Sequence, residues 1–133
     1  MPLFDFTKGS AILLPFTAEN AITKNRFVFA GTGAKQVTAT TVDAAKPVGV
    51  AIESAAAGEP VQVAIFGVVN VTAGAAILRG GLLKVVSTAG KVDDVTAGVT
   101  TANAIVGTAL EAAVNDNDII SAFISCANTH GAV

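Results

Sequence analysis

Apolar and polar residues alternate most clearly in the segment PVQVAIFGVVNV, residues 60–71. Five of its β-branched residues share one parity: Val61, Val63, Ile65, Val69 and Val71. Successive side chains of a β-strand point to opposite faces, so this spacing predicts a half-buried strand. Gly67 interrupts the run and predicts a bulge or a bend at that point.

Shorter runs of β-branched and aromatic residues predict further strands along the chain. They are Arg26–Ala30, Gln36–Val42, Val48–Ile52, Leu82–Val86, Ala104–Leu110 and Ile119–Ser125. Turn-forming residues separate them, in AGTGAK, AAAGEP, STAGK and AVNDND. Two Ala-containing pieces, Thr17–Ile22 and Thr72–Leu78, have room for one helical turn each but are too short for an independent helix. The pattern predicts an all-β sandwich or barrel with little helix.

The chain also contains an internal repeat. Residues 48–66 (VGVAIESAAAGEPVQVAIF) align without a gap with residues 106–124 (VGTALEAAVNDNDIISAFI), at an offset of 58. Upstream, Ile22 matches Ile77 at an offset of 55 (77−22), which gives copies over residues 17–66 and 72–124. Two copies are too few for a solenoid, and 133 residues are the length of one domain.

These observations predict the domain organisation and the fold class. We expect an N-terminal arm over residues 1–16, followed by one β domain over residues 17–133. The domain is predicted to be a compact β-barrel or sandwich, β-tulip-like, in which the repeat forms two pseudo-twofold related halves. Neither half is expected to bury its apolar face without the other.

Composition restricts the classes of function. Apolar residue types make up 52% of the chain and charged types 14%, with a net charge of −2. The charge is too low and too scattered for a nucleic-acid interface, and no apolar run reaches the about 18 to 20 residues of a membrane span. We therefore predict no nucleic-acid and no membrane partner. A surface this poor in charge tends to be covered by copies or partners, which predicts an interaction protein.

Few residues are suited to catalysis. Cys126 is the single cysteine, which excludes an intrachain disulfide, and we expect it to be a small buried or half-buried hydrophobic residue near the last strand. His130 is the single histidine, and we expect it in an exposed tail. A nucleophile pair of these two residues has a feasible spacing but no predicted electropositive pocket around it.

Carboxylates allow two interpretations. Glu53 and Glu111 are repeat equivalents that would suit glycoside hydrolysis if they converged, but each falls where a strand runs into a turn, which favours a role in organising the turn. Asp93–Asp94 and Asp116–Asp118 lack the spacing of a Ca²⁺ loop and are predicted to be solvated turns. AGTGAK lacks the spacing of a phosphate-binding loop. We predict no catalytic residue, no cofactor and no metal site.

Three segments resemble the small capsid decoration, or cement, proteins of tailed phages: Lys46–Val71, Gly80–Val92 and Ala104–Ile124. The resemblance implies a non-enzymatic protein on the outer surface of the virion capsid, made in the host cytoplasm, with the major capsid protein as its partner. It also implies self-association, as a homotrimer at local threefold positions or as a dimer.

The arm is the candidate capsid-binding element, because an extended segment can add as a strand to an exposed sheet edge of a capsid subunit. Its apolar residues are Leu3, Phe4, Phe6, Ile12, Leu13, Leu14 and Phe16. Deletion of residues 2–16 is expected to abolish capsid binding and to leave the fold intact. Two alternatives are a virion β domain for host or carbohydrate attachment, such as a head fibre or adhesin base, and an enzyme that uses Glu53 and Glu111.

Overall fold

The computed structural model describes residues 11–39, 47–85, 90–95 and 105–126. Every regular element in these residues is a β-strand, which confirms the all-β prediction. The strands, β1 to β9 in chain order, are Ala11–Ala18, Phe27–Ala30, Gln36–Thr38, Pro47–Ala51, Pro60–Thr72, Leu82–Val85, Val92–Asp94, Ile105–Ala109 and Ile119–Ser125. The two pieces predicted as helical turns instead carry strand ends and the isolated bridges Ile22↔Ala55 and Ile77↔Ala113.

The first half of the chain forms a closed five-stranded barrel. Its strand order is β1-β3-β2-β4-β5, and β1 also pairs with β5, which closes the ring. β1 is parallel to β3, where Thr17 pairs with Gln36, and the other neighbours in this ring are antiparallel. Closure gives every strand of the ring two neighbours over part of its length.

The second half repeats this arrangement and shares β5 with the first. Residues 66–72 of β5 pair with β9, and the sheet continues through β8 and β6 to β7. β7 returns to the end of β5 through a parallel bridge between Ala73 and Val92, and the Gly74 N–H donates to the Val92 carbonyl at 2.7 Å. The second part of β5 therefore has the place in the second half that β1 has in the first.

Hydrogen bonds show which residues of the two halves correspond. The Ala18 N–H donates to the Glu59 carbonyl, and the Ala73 N–H donates to the Asp118 carbonyl. Ala18 thus corresponds to Ala73 at an offset of 55 (73−18), and Glu59 to Asp118 at an offset of 59 (118−59). The gapless alignment at 58 holds for β4 and β8 but is wrong for β5 and β9, because the turn before β9 is one residue longer.

Backbone dihedrals support the same correspondence. Three pairs of equivalent turn residues have positive φ: Asn25 (65°) with Gly80 (87°), Lys35 (59°) with Gly90 (67°), and Gly58 (86°) with Asn117 (73°). Glycine and asparagine tolerate this left-handed region best, which accounts for five of the six residues. The turn-forming residues of the sequence therefore mark the same corners of both halves.

Two clusters of apolar side chains form the core. The first fills the first barrel: Ala18, Ile22, Val28, Val37, Ala51, Ala55, Val61 and Val63. All eight equivalents lie in the second cluster: Ala73, Ile77, Leu83, Val92, Ala109, Ala113, Ile120 and Ala122. That cluster also contains four residues of the first half: Phe27, Phe29, Val50 and Ala64. One outer face of the first barrel is therefore buried against the second half.

Residues 11–16 were predicted to lie in an arm outside the domain, and the structure corrects this boundary. Ala11 to Thr17 pair with β5 and form the strand that closes the first barrel. The pattern did not reveal this strand because its burial does not alternate: Ile12 to Pro15 are all exposed, and Ala18 is the first buried residue. Deletion of residues 2–16 would remove a barrel strand, so it cannot test binding alone.

Candidate functional site

The outer edge of β1 is the first candidate interaction surface. Residues 11–16 pair with β5 on one side, and β3 joins the other side only at Thr17 and Ala18. No strand in the described part of the chain covers the remaining edge. Ile12, Leu13 and Leu14 are exposed along it. An exposed apolar strand with unpaired backbone groups is a template for the addition of another strand.

The predicted arm residues fall into three groups. Ile12, Leu13 and Leu14 lie together on the β1 edge. Phe16 is half-buried and packs against the core of the first barrel, so it has a structural role. Leu3, Phe4 and Phe6 lie outside the described residues. The structure thus brings three of the seven candidates together at an accessible surface.

A second exposed apolar surface lies on the outside of the second half. Phe66 and Phe123 are exposed, and their rings meet edge to face with centroids 5.3 Å apart and planes at 80°. Leu82 and Ile105 are exposed on the neighbouring strands β6 and β8. The sequence alone does not distinguish the exposed phenylalanines from the buried ones. When the repeat alignment allows for the extra residue in the turn before β9, Phe123 becomes the equivalent of the buried Ala64. This replacement of a small residue by a large one is the sequence signal for the exposed phenylalanine.

The two glutamates organise turns. Glu53 Oε2 accepts a hydrogen bond from the Gln62 N–H at 3.3 Å, and Glu111 Oε1 accepts one from the Ser121 N–H at 2.7 Å. Hydrogen bonding by the Ser121 side chain and backbone lowers the pKa of Glu111. A general acid in glycoside hydrolysis needs a raised pKa. The geometry therefore supports the structural interpretation that the sequence favours.

The aspartates of the second half also have structural partners. Asp118 Oδ2 accepts hydrogen bonds from the N–H groups of Val114 (2.9 Å) and Asn115 (3.0 Å). Asp116 forms an ion pair with Lys91 at 3.0 Å, and the Asp93 side chain accepts from the Asp94 N–H. Within the ranges that the structure describes, no three His, Cys, Asp or Glu residues are grouped closely enough to hold a metal ion.

Cys126 is buried at the end of β9, as predicted, and its N–H donates to the Ile65 carbonyl at 3.0 Å. Burial raises the pKa of the Cys126 thiol to about 12, which is the opposite of what a nucleophilic thiolate needs. His130 lies outside the described residues. AGTGAK forms the hairpin turn between β2 and β3, where the Gly31 N–H donates to the Gln36 carbonyl.

The described residues contain no helix that is long and apolar enough to cross a membrane. What they do present is a duplicated β-barrel whose polar side chains satisfy its own turns and which has exposed apolar side chains on the β1 edge and on the outside of the second half. Exposed apolar surfaces of this kind are suited to contacts with other proteins.

Comparison with known proteins agrees with this interpretation. Residues 6–124 match the family model of the phage cement protein, which covers most of the chain. The chain therefore belongs to the phage cement protein family, a family of structural proteins associated with the phage capsid. No curated protein sequence matches the chain.

A solved structure shares the fold. The head fibre gp8.5 N base of bacteriophage phi29 superposes with a TM-score of 0.65 at 19% sequence identity. The match covers 86% of this chain and 93% of that one. At this level of identity the similarity shows the fold alone, and it confirms the predicted all-β architecture.

Proposed function

We propose that this protein binds the outer surface of a phage head and stabilises the contacts between neighbouring major capsid proteins. The observation that carries the proposal is the match to the phage cement family over residues 6–124. Protein synthesis in the host cytoplasm and a homotrimer, or a dimer, on the capsid belong to the same proposal. Its role is structural rather than catalytic, in keeping with the lowered pKa of Glu111 and the buried thiol of Cys126.

The β1 edge is the proposed capsid-binding element. A strand of the capsid protein adds to the open side of residues 11–16, where backbone hydrogen bonds give affinity. Ile12, Leu13 and Leu14 give specificity through their exposed side chains. Leu3, Phe4 and Phe6, which lie outside the described residues, stay candidates for capsid binding. The proposed binding mode is still strand addition, but the capsid strand adds to an edge of the barrel and not to a separate arm.

Many weak contacts on one lattice are sufficient for decoration. Copies that bridge neighbouring capsid subunits gain avidity from their effective concentration, so a single interface need not be large. A protein that binds the expanded lattice more tightly than the unexpanded one stabilises it by mass action. The expected consequence is a higher melting temperature for decorated capsids.

Two changes test the β1 edge. Leu13→Asp places a charge on the edge, and deletion of residues 2–10 removes the preceding segment without touching the barrel strand. Each is expected to reduce binding to expanded, undecorated capsids in a sedimentation assay. Val114→Asp is the matched control, since Val114 is 73% exposed on a turn of the second half. Binding by Leu13→Asp equal to that of the control would exclude the β1 edge.

A second candidate is attachment to a host surface or carbohydrate. The fold similarity to a head fibre base supports this candidate, since that protein is a fibre component by its name. The chain has neither Trp nor Tyr to stack on a sugar ring, which argues against carbohydrate binding. Binding to a glycan array without binding to capsids would favour attachment.

A further inference from the structure

The β1 edge is defined by the backbone groups that face away from β5. In an antiparallel pair, successive residues of a strand direct their N–H and C=O groups alternately toward and away from the partner strand. The Ala18 N–H donates to the carbonyl of Glu59, just before β5. The Thr17 N–H donates on the other side, to the Lys35 carbonyl at 2.9 Å. The odd-numbered residues in this part of β1 therefore direct their backbone groups away from β5.

Pro15 follows this alternation, as its partner on β5 shows. Pro15 pairs with Gln62. The Gln62 carbonyl accepts a hydrogen bond from the Ile52 N–H at 3.1 Å, and the Gln62 N–H donates to the Glu53 side chain, so both groups are used away from β1. Pro15 and Gln62 thus exchange no hydrogen bond. The nitrogen and the carbonyl of Pro15 face the open edge.

Leu13 has the same orientation as Pro15. It pairs with Ala64, and Ala64 also pairs with Val50 on β4. The carbonyl oxygen of Ala64 lies so close to Gly49 of β4 that a Cβ atom there would overlap it, so this oxygen points away from β1. The N–H and the C=O of Leu13 therefore face the open edge as well.

The open edge over residues 13–16 has a defined pattern of donors and acceptors. The carbonyls of Leu13 and Pro15 are its acceptors. The Leu13 N–H is its one donor, because proline has no N–H group. Prolines on the edges of natural sheets limit unselective pairing of an exposed strand in this way.

A strand that adds to this edge forms the same kinds of bonds in either direction. In a parallel or an antiparallel ladder, the two carbonyls accept from N–H groups on alternate residues of the added strand, and the Leu13 N–H donates to one of its carbonyls. The fourth bond, which residue 15 would donate, is missing because that residue is Pro15. Three backbone hydrogen bonds therefore define the contact.

We propose that Leu13 and Pro15 select the capsid segment through its backbone. The edge accepts an extended segment of the major capsid protein that has N–H groups on two alternate residues, and it excludes a segment with proline at either of them. This inference rests on the proposed capsid binding at the β1 edge. It adds which main-chain groups make the contact and what the partner must present to them.

Amide hydrogen exchange, read by mass spectrometry with fragmentation to single residues, tests the pattern. In the free protein, the Leu13 amide is expected to exchange fast, whereas the amides of Leu14 and Phe16, which face β5, exchange slowly. On expanded, undecorated capsids of its own phage, exchange at Leu13 is expected to slow by about tenfold or more. A Leu13 amide that is already protected in the free protein overturns the proposal, and so does one that stays unprotected on the capsid.

Two backbone substitutions change the pattern in opposite directions. Pro15→Ala supplies the missing N–H and is expected to lower the dissociation constant for capsids by about 5-fold, the effect of one added hydrogen bond. Leu13→Pro removes the donor and is expected to raise the constant by about 5-fold relative to Leu13→Ala, which loses the side chain but retains the N–H. Pro60→Ala replaces a proline at the start of β5, away from the open edge, and should leave the constant unchanged.

The outcomes separate this proposal from the cement function. Urea denaturation of each variant checks the fold, which is expected to be retained because neither backbone nitrogen bonds to β5. Capsid binding that is unchanged by Pro15→Ala, and equal for Leu13→Pro and Leu13→Ala, overturns the backbone pattern and leaves the cement function standing. Weaker binding by a folded Pro15→Ala variant also overturns it, since the proline ring would then be a contact. Absence of binding by the wild-type protein overturns both proposals.

Discussion

Three carboxylates at turns accept hydrogen bonds that exist only in the folded chain. Thr32 donates its side-chain hydroxyl and its backbone N–H to Glu19, and these bonds lower the pKa of Glu19. The pKa of Glu111 is lowered by Ser121, and the pKa of Asp118 by the N–H groups of Asn115 and Val114. All three groups are at the surface, so each contribution to stability is small.

The sign of these shifts predicts how stability depends on pH. A carboxyl group whose pKa is lowered in the folded chain stabilises the fold at pH values above its ordinary pKa. That ordinary pKa is 4.5 for the two glutamates and 3.8 for the aspartate. The unfolded chain then binds protons first, so the free energy of unfolding falls as the pH drops below these values. Urea midpoints at about pH 7 and about pH 3 measure this loss.

A triple variant identifies the groups responsible. Glu19→Gln, Glu111→Gln and Asp118→Asn together are expected to flatten the pH dependence, because amides do not titrate in this range. An unchanged slope between the two pH values would contradict the assignment.

Two equivalent glycines allow close approach of neighbouring strands. A Cβ atom at Gly49 would overlap the carbonyl oxygen of Ala64, and a Cβ atom at Gly107 would overlap that of Phe123. Gly49→Ala and Gly107→Ala are each expected to lower the free energy of unfolding by about 1–3 kcal/mol, as overpacking does. Chemical denaturation measures both.

The control for these glycines is Gly58→Asn. Its equivalent, Asn117, already has a φ of 73°, and a Cβ atom at Gly58 would meet nothing within 4 Å. The expected cost is below about 1 kcal/mol. A Gly49→Ala variant as stable as Gly58→Asn would show that the strands can separate without loss.

At the scale of strands, Phe27 and Leu82 occupy equivalent positions in different surroundings. Phe27 is buried between the halves, whereas Leu82 is half exposed on the outside of the second half. Phe27→Ala is expected to cost about 3–5 kcal/mol of unfolding free energy, and Leu82→Ala at most about 0.5 kcal/mol. Urea denaturation at low protein concentration tests this, since self-association then contributes little. Equal costs would mean that Phe27 does not hold the halves together.

Most strands could be predicted from the sequence because they are runs of β-branched and aromatic residues bounded by turn-forming residues. The prediction for β9 is identical to the observed Ile119–Ser125, and β2, β4, β5 and β8 differ by one or two residues at their ends. β1 was not predicted as a strand because one of its edges is unpaired over most of its length and four consecutive residues are exposed. β7 was not predicted because its three residues, VDD, are too few to show a period.

The repeat was visible in the sequence, but its limits were not. Side-chain patterns cannot show that β5 serves both halves, since one continuous run of 13 residues gives no sign of a change of partner. The bend at Gly67 was the available hint: its φ is 121°, and the pairing with β1 shifts register nearby, between Ile12 and Leu13. Residues 1–16 were predicted as a binding arm and not as a strand of the barrel, and the exposed row of the second half required knowledge of which row each half buries.

For the whole molecule, duplication explains the apolar, weakly charged composition. One copy of the fold unit covers a face of the other, so residues that would be surface in a single barrel become core. Among the described residues, nothing covers the equivalent face of the second half, and the β1 edge adds a second apolar surface. A chain with 14% charged residues is thus suited to a lattice in which neighbours cover what it exposes.

We propose above that this protein cements a phage head. The most direct measurement is sedimentation of the purified protein with expanded, undecorated capsids of its own phage, followed by the melting temperature of the pelleted capsids. We predict co-sedimentation at a fixed copy ratio and a higher capsid melting temperature than without the protein. Absence of binding at every ratio, or saturating binding that leaves the melting temperature unchanged, would contradict the claim.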